Sequence, residues 1–305
     1  MRKQLLSCLL CFMSILCYAH EDGNFVSSDL FASLQPGDKA ALLMVHFGTT
    51  HDDTRALTID AINQKAQEAF NNIEVREAWT SRIVIRRLKS RGINRLNPLE
   101  ALKQLKADGY THILIQSTNI IEGIEMESLR KDAESMRDDF KEIRIGNPLL
   151  YTPTDYETVI AAITNGKPKN EAIVLVGHGT YTPATAQYAM LDYMLKEKGF
   201  KNFFVGTIEG YPTFDSMLAQ LNSQKTKTIC LVPFMFVAGD HAKNDIADEW
   251  KTELEKKGYT VHTLLEGLGQ NPAIQKIFIE HACFIAKHKK IDISDKKKAY
   301  AIAQD

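Results

Sequence analysis

The chain has 305 residues, 44% hydrophobic and 25% charged, with a formal net charge of −1 at pH 7. That length suits one large or two medium domains, and the composition is ordinary for a globular protein with a sizeable core. With no basic excess and no recognition motif for it, nucleic acid is excluded as a partner.

The chain opens with a basic Met1-Arg2-Lys3, then an apolar run from Leu5 to Cys17 broken only by Ser7 and Ser14, then Ala19 before His20. This is the layout of a secretory signal peptide over residues 1–19, so the expectation is an exported, periplasmic protein. The run falls short of the roughly 20 apolar residues a membrane span needs. Leu5-Leu6-Ser7-Cys8 has a lipobox-like look, so a lipid-anchored form is the alternative. Export removes Cys8, Cys11 and Cys17. Cys230 and Cys283 then remain, and they read as buried small apolar residues rather than a disulfide framework.

From residue 40 onward, apolar β-branched runs alternate with segments of helical spacing. Strands are predicted at 40–46, 73–78, 112–118, 143–148, 172–176, 202–208, 228–233 and 259–265. Helices are predicted between them, among others at 83–90, 98–107, 128–140 and 240–256. Near-continuous apolar strands separated by helices mean parallel sheets covered on both faces. Internal similarity divides them into two sheets. Leu42-Leu43-Met44-Val45-His46-Phe47-Gly48-Thr49 resembles Ile173-Val174-Leu175-Val176-Gly177-His178-Gly179-Thr180. Ile113/Ile229, Ile115/Leu231, Gly123/Gly239 and Glu125/His241 line up further on. The predicted fold class is therefore α/β, as two similar doubly wound domains with a four-stranded parallel sheet each. Domain one takes 38–150 and domain two 151–271, with a helix at about 272–288 packing back on the first. Residues 291–305, rich in Lys, Asp and Ala, are expected to be a mobile tail.

In open α/β sheets ligands bind beyond the carboxyl ends of the strands. His178, Glu209 and His241 fall there in the second half, with Glu125 the first-half counterpart of His241. His, His and carboxylate suit Co2+, Ni2+, Fe2+ or Zn2+ with a position left open. A lone histidine after a strand is more often a cap or core residue. However, Gly177 and Gly179 let the backbone turn sharply around His178, and Asp240 is the better helix cap, which frees His241. Glu125 lies between Ile124 and Met126, surroundings that suit a proton acceptor. Arg86 and Arg87 lie in a basic stretch over 82–91 that reads either as a solvated helix face or as a wall for substrate carboxylates. No dinucleotide fingerprint, P-loop or nucleophile elbow is present, so no organic cofactor is expected.

These residues resemble a known family. Phe47-Gly48-Thr49, Ala78-Trp79-Thr80-Ser81, Ile85-Arg86-Arg87-Leu88, Ile115-Gln116-Ser117, Gly123-Ile124-Glu125, Gly177-His178-Gly179, Glu209-Gly210-Tyr211-Pro212, Val237-Ala238-Gly239-Asp240-His241-Ala242-Lys243-Asn244-Asp245 and Gly267-Leu268-Gly269-Gln270-Asn271-Pro272 look like the anaerobic cobalt chelatases of the CbiK type. The resemblance covers about residues 40–285. It implies two similar α/β domains with a tetrapyrrole in the cleft between them. It also implies ATP-independent insertion of Co2+ into sirohydrochlorin on the way to cobalamin, with Fe2+ or Ni2+ inserted by relatives. Carried over, the metal histidines fall on His178 and His241 and the family's acids on Glu125 and Glu209. His178 and Glu125 are then the catalytic candidates, and His178, Glu209 and His241 the metal ligands. Arg86, Arg87, Phe47, Gly48 and Thr49 are the substrate contacts. Two positions depart from the family pattern: Asn119 stands where a His is usual, and His46 where a small residue is common. Corrin synthesis is cytoplasmic, so export raises an alternative, a periplasmic haem- or metal-binding protein for haem capture or iron removal. Self-association into a homo-oligomer is left open.

Overall fold

A computed structural model describes residues 24–239, 246 and 248–302. The signal-peptide reading of 1–19 and the metal-ligand reading of His241 lie outside the described residues. The first half runs β1 (Phe25–Ser27), β2 (Ala40–His46), α1 (Asp52–Arg55), a π-helical turn (Ala56–Asp60), α2 (Ala61–Ala69), β3 (Glu74–Trp79), α3 (Arg82–Lys89), α4 (Pro98–Ala107), β4 (His112–Ser117), α5 (Ile124–Ser135) and β5 (Glu142–Ile145). The second runs α6 (Pro153–Thr164), β6 (Ala172–Gly179), α7 (Ala186–Glu197), β7 (Phe203–Glu209), α8 (Phe214–Asn222), β8 (Thr228–Pro233), α9 (Lys251–Lys256), β9 (Thr260–Thr263), α10 (Pro272–Lys287), β10 (His288–Lys290) and α11 (Ile293–Ile302).

The two main sheets are parallel, four-stranded and of one topology: β3-β2-β4-β5 and β7-β6-β8-β9. Every residue of β2 is buried, because helices cover both faces of its sheet. The order of the strands reverses between β2 and β4, and again between β6 and β8. Such switch points open a crevice at the carboxyl ends of the strands.

The duplication is written in the backbone hydrogen bonds. Beyond β4, Thr118 N–H donates to Val45 O (2.9 Å). Leu149 and Leu150 donate to Asn119 and Ile120 (2.9 Å each). Beyond β8 the same pattern returns: Phe234 N–H to Val176 O (2.8 Å), Leu268 to Met235 (2.8 Å) and Gly269 to Phe236 (2.9 Å).

Helix starts follow local chemistry. Asn97 with Glu100 caps α4 and Thr152 with Asp155 caps α6, each reciprocally and each with Pro as first helical residue. Helix α10 packs on β4, β5 and α2 of the first half and on α6 of the second. One buried cluster accordingly runs from Leu42 and Leu114 through Ile274 and Phe278 to Leu175 and Val205. The outer faces of the sheets carry their own clusters. Arg144 of β5 fastens the far end of α10. Its buried guanidinium donates to Ser28 O (2.6 Å), Ile285 O (3.0 Å) and Ala286 O (3.1 Å).

Several boundaries differ from expectation. β6 and β7 continue to Gly179 and Glu209, so both site residues lie within the ladder rather than beyond it. Helix α5 begins at Ile124, which puts Glu125 in its first turn. The Lys-rich terminus, expected as a tail, is helical from Ile293 to Ile302, in keeping with the good helix propensity of Lys and Ala. β10 pairs antiparallel with β1, a ribbon that the periodicity does not predict. No helix among the described residues is long and apolar enough to cross a membrane.

Candidate active site

A cavity of about 480 Å3 opens where the carboxyl ends of the two sheets face each other, and both halves line it. That size is ordinary for a small-molecule site. Its walls are largely apolar: Ile83, Ile120 and Ile121 from the first half, Phe234, Phe236 and Val237 from the second. Among its polar groups are His178 and Glu209 at the ends of β6 and β7 and Glu125 at the start of α5.

His178 is the penultimate residue of β6 and half-buried. Its glycine neighbours are set by packing on both sides. A methyl on Gly177 would lie 2.3 Å from the Tyr188 ring. Gly179 has φ +85, and a methyl there would lie 1.6 Å from the Glu209 carbonyl oxygen. The expectation of a sharp turn around His178 is thus corrected. The glycines instead let β6 run on, in close approach to β7, and carry His178 to the rim in ladder register. The His178 Nδ1 sits 3.4 Å from Gly179 O. Behind it, burial pushes the Tyr188 hydroxyl up to about 12 and keeps it protonated.

Glu209 ends β7, is exposed, and pairs with Gly179 in the ladder. Glu125 lines the cavity from the first half, half-buried in the first turn of α5 after Gly123. The unsatisfied N–H groups of a helix start favour a negative charge beside them. Gly239, two residues before His241, lines the same cavity. His178, Glu209 and Glu125 therefore converge on one space.

Phe47, Gly48 and Thr49 line the cavity as well. Gly48 has φ +96, and a methyl on it would meet the Trp79 ring at 2.4 Å, so only glycine lets this turn close over the tryptophan. The two arginines part company. Both are exposed, but Arg87 lines the cavity beside Ile83 and Val84 and Arg86 is not among the lining residues. Helical spacing explains it, since 83, 84 and 87 share a face. Arg91, one turn on, donates to the carbonyl of Thr50 at the cavity edge (2.9 Å).

Both departures from the family pattern have a structural place. Asn119 lines the cavity, and its Nδ2 is buried without a hydrogen-bond partner. His46 stands behind the wall, its ring stacked 6.1 Å from that of Phe236. Its Nε2 meets Asn63 Oδ1 (2.9 Å) and its Nδ1 the Thr118 hydroxyl (3.1 Å). Asn63 Nδ2 donates onward to Glu77 (2.9 Å). With Oδ1 accepting, Nε2 carries the proton and Nδ1 accepts from Thr118. Burial holds the His46 imidazole below its ordinary range, against the pull of Glu77 and Asn63. It is a neutral pin for Thr118 and Phe236, both in the lining. Sequence reasoning missed Tyr188, Phe234 and Phe236. The clue was the apolar run at 234–237 directly after a strand, at a switch point.

A family model described as cobalt chelatase (CbiK) matches residues 40–286. The sirohydrochlorin cobaltochelatase of Salmonella typhimurium is 37% identical over 251 residues, 80% of this chain and 95% of that relative. The sirohydrochlorin cobaltochelatase CbiKC of Nitratidesulfovibrio vulgaris is 31% identical over 256 residues, 81% of this chain and 90% of that protein. The solved structure of SirB from Bacillus subtilis with Fe3+ superposes with a TM-score of 0.58 at 15% identity, covering 81% of this chain and 96% of that one. At that identity the likeness speaks for the fold, and it is the fold described above. The family match and both curated relatives agree over most of the chain, and the chain belongs to the CbiK family of cobalt chelatases.

Proposed function

We propose that this protein is a tetrapyrrole metallochelatase that inserts Co2+ into sirohydrochlorin or a related macrocycle, without ATP. The observation that carries this reading is the convergence of His178, Glu209 and Glu125 on one apolar-walled cavity between two sheets. The metal is a substrate, so its ligands must release it as well as bind it. Imidazole nitrogen and carboxylate oxygen suit Co2+, and Fe2+, Ni2+ and Zn2+ fit the same donors. His178 and Glu209, brought together by the β6–β7 ladder, receive the ion, and the family resemblance adds His241. The flat macrocycle lies between the isoleucine and phenylalanine walls with its carboxylates towards Arg87. For each divalent ion that enters, two inner N–H protons leave the ring. Glu125, on the opposite half, and His178 once it has released the ion are the groups that accept them.

The curated relatives carry names for metal insertion, which does not favour the haem- or metal-carrier alternative. The basic start and apolar run of residues 1–19 support an exported, periplasmic enzyme. Cell fractionation with the mass of the mature amino terminus tests this, and a fatty acid on Cys8 would identify the lipid-anchored form instead.

Purified protein is incubated with sirohydrochlorin and each metal in turn, and the absorption spectrum is followed. The expected result is insertion above the spontaneous rate, lost in His178→Ala. A wild-type rate equal to the spontaneous one overturns the proposal, and tight haem binding without turnover would point to a carrier.

A further inference from the structure

A second set of metal-binding side chains lies at the other end of the second sheet. In strand register Ile173, Cys230 and His262 form one row across β6, β8 and β9. Residues in one row point to the same face, and Glu171, two before Ile173, points there too. A carboxylate, a thiol and an imidazole thus share one sheet face, with one donor atom from each all within 4.8 Å of the others. Among the described residues this is the group of His, Cys, Asp and Glu side chains that comes so close. Glu171 already orients the imidazole, its Oε2 lying 2.7 Å from His262 Nε2. Glu171, one residue before β6, lies seven residue steps from His178, so the set lies about 23 Å from the cleft along the strand.

We propose that Glu171, Cys230 and His262 form a second divalent-metal site, for a borderline-soft d-block cation such as Zn2+ or Co2+. The donor set chooses the class, since thiolate and imidazole disfavour Mg2+ and Ca2+. Exposure is graded: Cys230 is 5% exposed, and the side chains of Glu171 and His262 are 14% and 53% exposed. Sulfur thus sits inside and imidazole outside, so an ion enters from solvent and keeps a water in its fourth position. Donors around a tetrahedral ion stand about 3.3–3.8 Å apart, and rotation of the exposed His262 ring supplies the closure. Burial pushes the Cys230 thiol up to about 11, so without metal the sulfur carries its proton and is poorly reactive. Binding exchanges that proton for the ion, releasing one H+ as the S–metal bond forms. β9 is an edge strand held by β8 alone, and the ion would tie it to β8 and to the start of β6.

The test uses the full-length chain carrying Cys8→Ser, Cys11→Ser, Cys17→Ser and Cys283→Ser, in which Cys230 is the one thiol. Titration with Co2+ is followed by thiolate-to-cobalt charge-transfer absorption and by the shift in Tm. The band is expected and should be unchanged by His178→Ala, since it reports the Cys230 thiolate alone, and a metal-dependent rise in Tm should persist in that variant. Adding Cys230→Ser should abolish the band. Adding His262→Ala, at an exposed position that leaves the core intact, should weaken Co2+ binding by about tenfold or more. No band with Cys230 present, or a Co2+ affinity read from the band that His262→Ala leaves unmoved, overturns the proposal.

Discussion

Gly179 and Glu209 stand opposite each other in the β6–β7 ladder, so close that a single methyl on Gly179 would lie 1.6 Å from the Glu209 carbonyl oxygen. The contact sets the position of His178 relative to Glu209, because His178 adjoins the one and faces the cavity with the other. Gly179→Ala must both adopt φ +85 and push the strands apart. It should destabilise the fold by about 1–3 kcal/mol, read from urea unfolding, and abolish metal insertion even in the folded fraction.

Arg87 and Arg86 are adjacent in sequence and unequal in place, since only Arg87 lines the cavity. Arg87→Ala should raise the KM for a carboxylated macrocycle by about tenfold, the worth of one hydrogen bond to a charged group. Arg86→Ala should leave KM unchanged. Steady-state kinetics with sirohydrochlorin distinguish them, and equal effects would show that the wall is wider than drawn.

Asn119 presents a buried Nδ2 without a partner to the cavity. Asn119→Ala removes an unsatisfied donor and should stabilise the empty protein by about 1 kcal/mol. The same change should weaken macrocycle binding, because the donor is then missing when a substrate oxygen arrives. A rise in Tm together with a rise in KM is the signature to look for.

His46 gives a pH dependence whose sign follows from its burial. Its folded-state pKa lies below the ordinary 6.5, because desolvation disfavours the imidazolium. The unfolded chain therefore binds a proton in the window just below 6.5 that the folded chain does not. Stability from this group is full above that value and falls as pH drops through the window towards the folded-state value. Urea midpoints measured from pH 7.5 down to 5 should decline in wild type. The decline should flatten in His46→Gln, at some cost in stability at neutral pH.

Much of the fold was legible because parallel strands buried on both faces cannot hide their apolar runs. The boundaries of β2, β8 and α4 match their predicted ranges residue for residue, and α10 ends one residue before its predicted end. What the sequence concealed has physical causes. The ends of β6 and β7 depend on a close approach between strands far apart in the chain, which no local pattern encodes. The β1–β10 ribbon joins the two ends of the described chain through three short pairs, below any periodic signal. In the site, His178, Glu209 and Glu125 were readable as polar residues beyond apolar runs. Tyr188, Phe234 and Phe236 were not, since an aromatic lining residue has the same sequence signature as a core residue. The split between Arg86 and Arg87 needed the orientation of α3 against the cleft.

Helix α10 touches both halves, and Arg144 locks its far end with bonds to the last turn and to Ser28. It is also the last part of the shared core to be synthesised. A nascent chain can therefore complete each sheet before this helix clamps the two together, when they share smaller contacts such as Glu122 N–H to Gln187 Oε1 (2.8 Å). No residue of this helix lines the cleft, so its part in holding a macrocycle is to keep the two walls at a fixed distance.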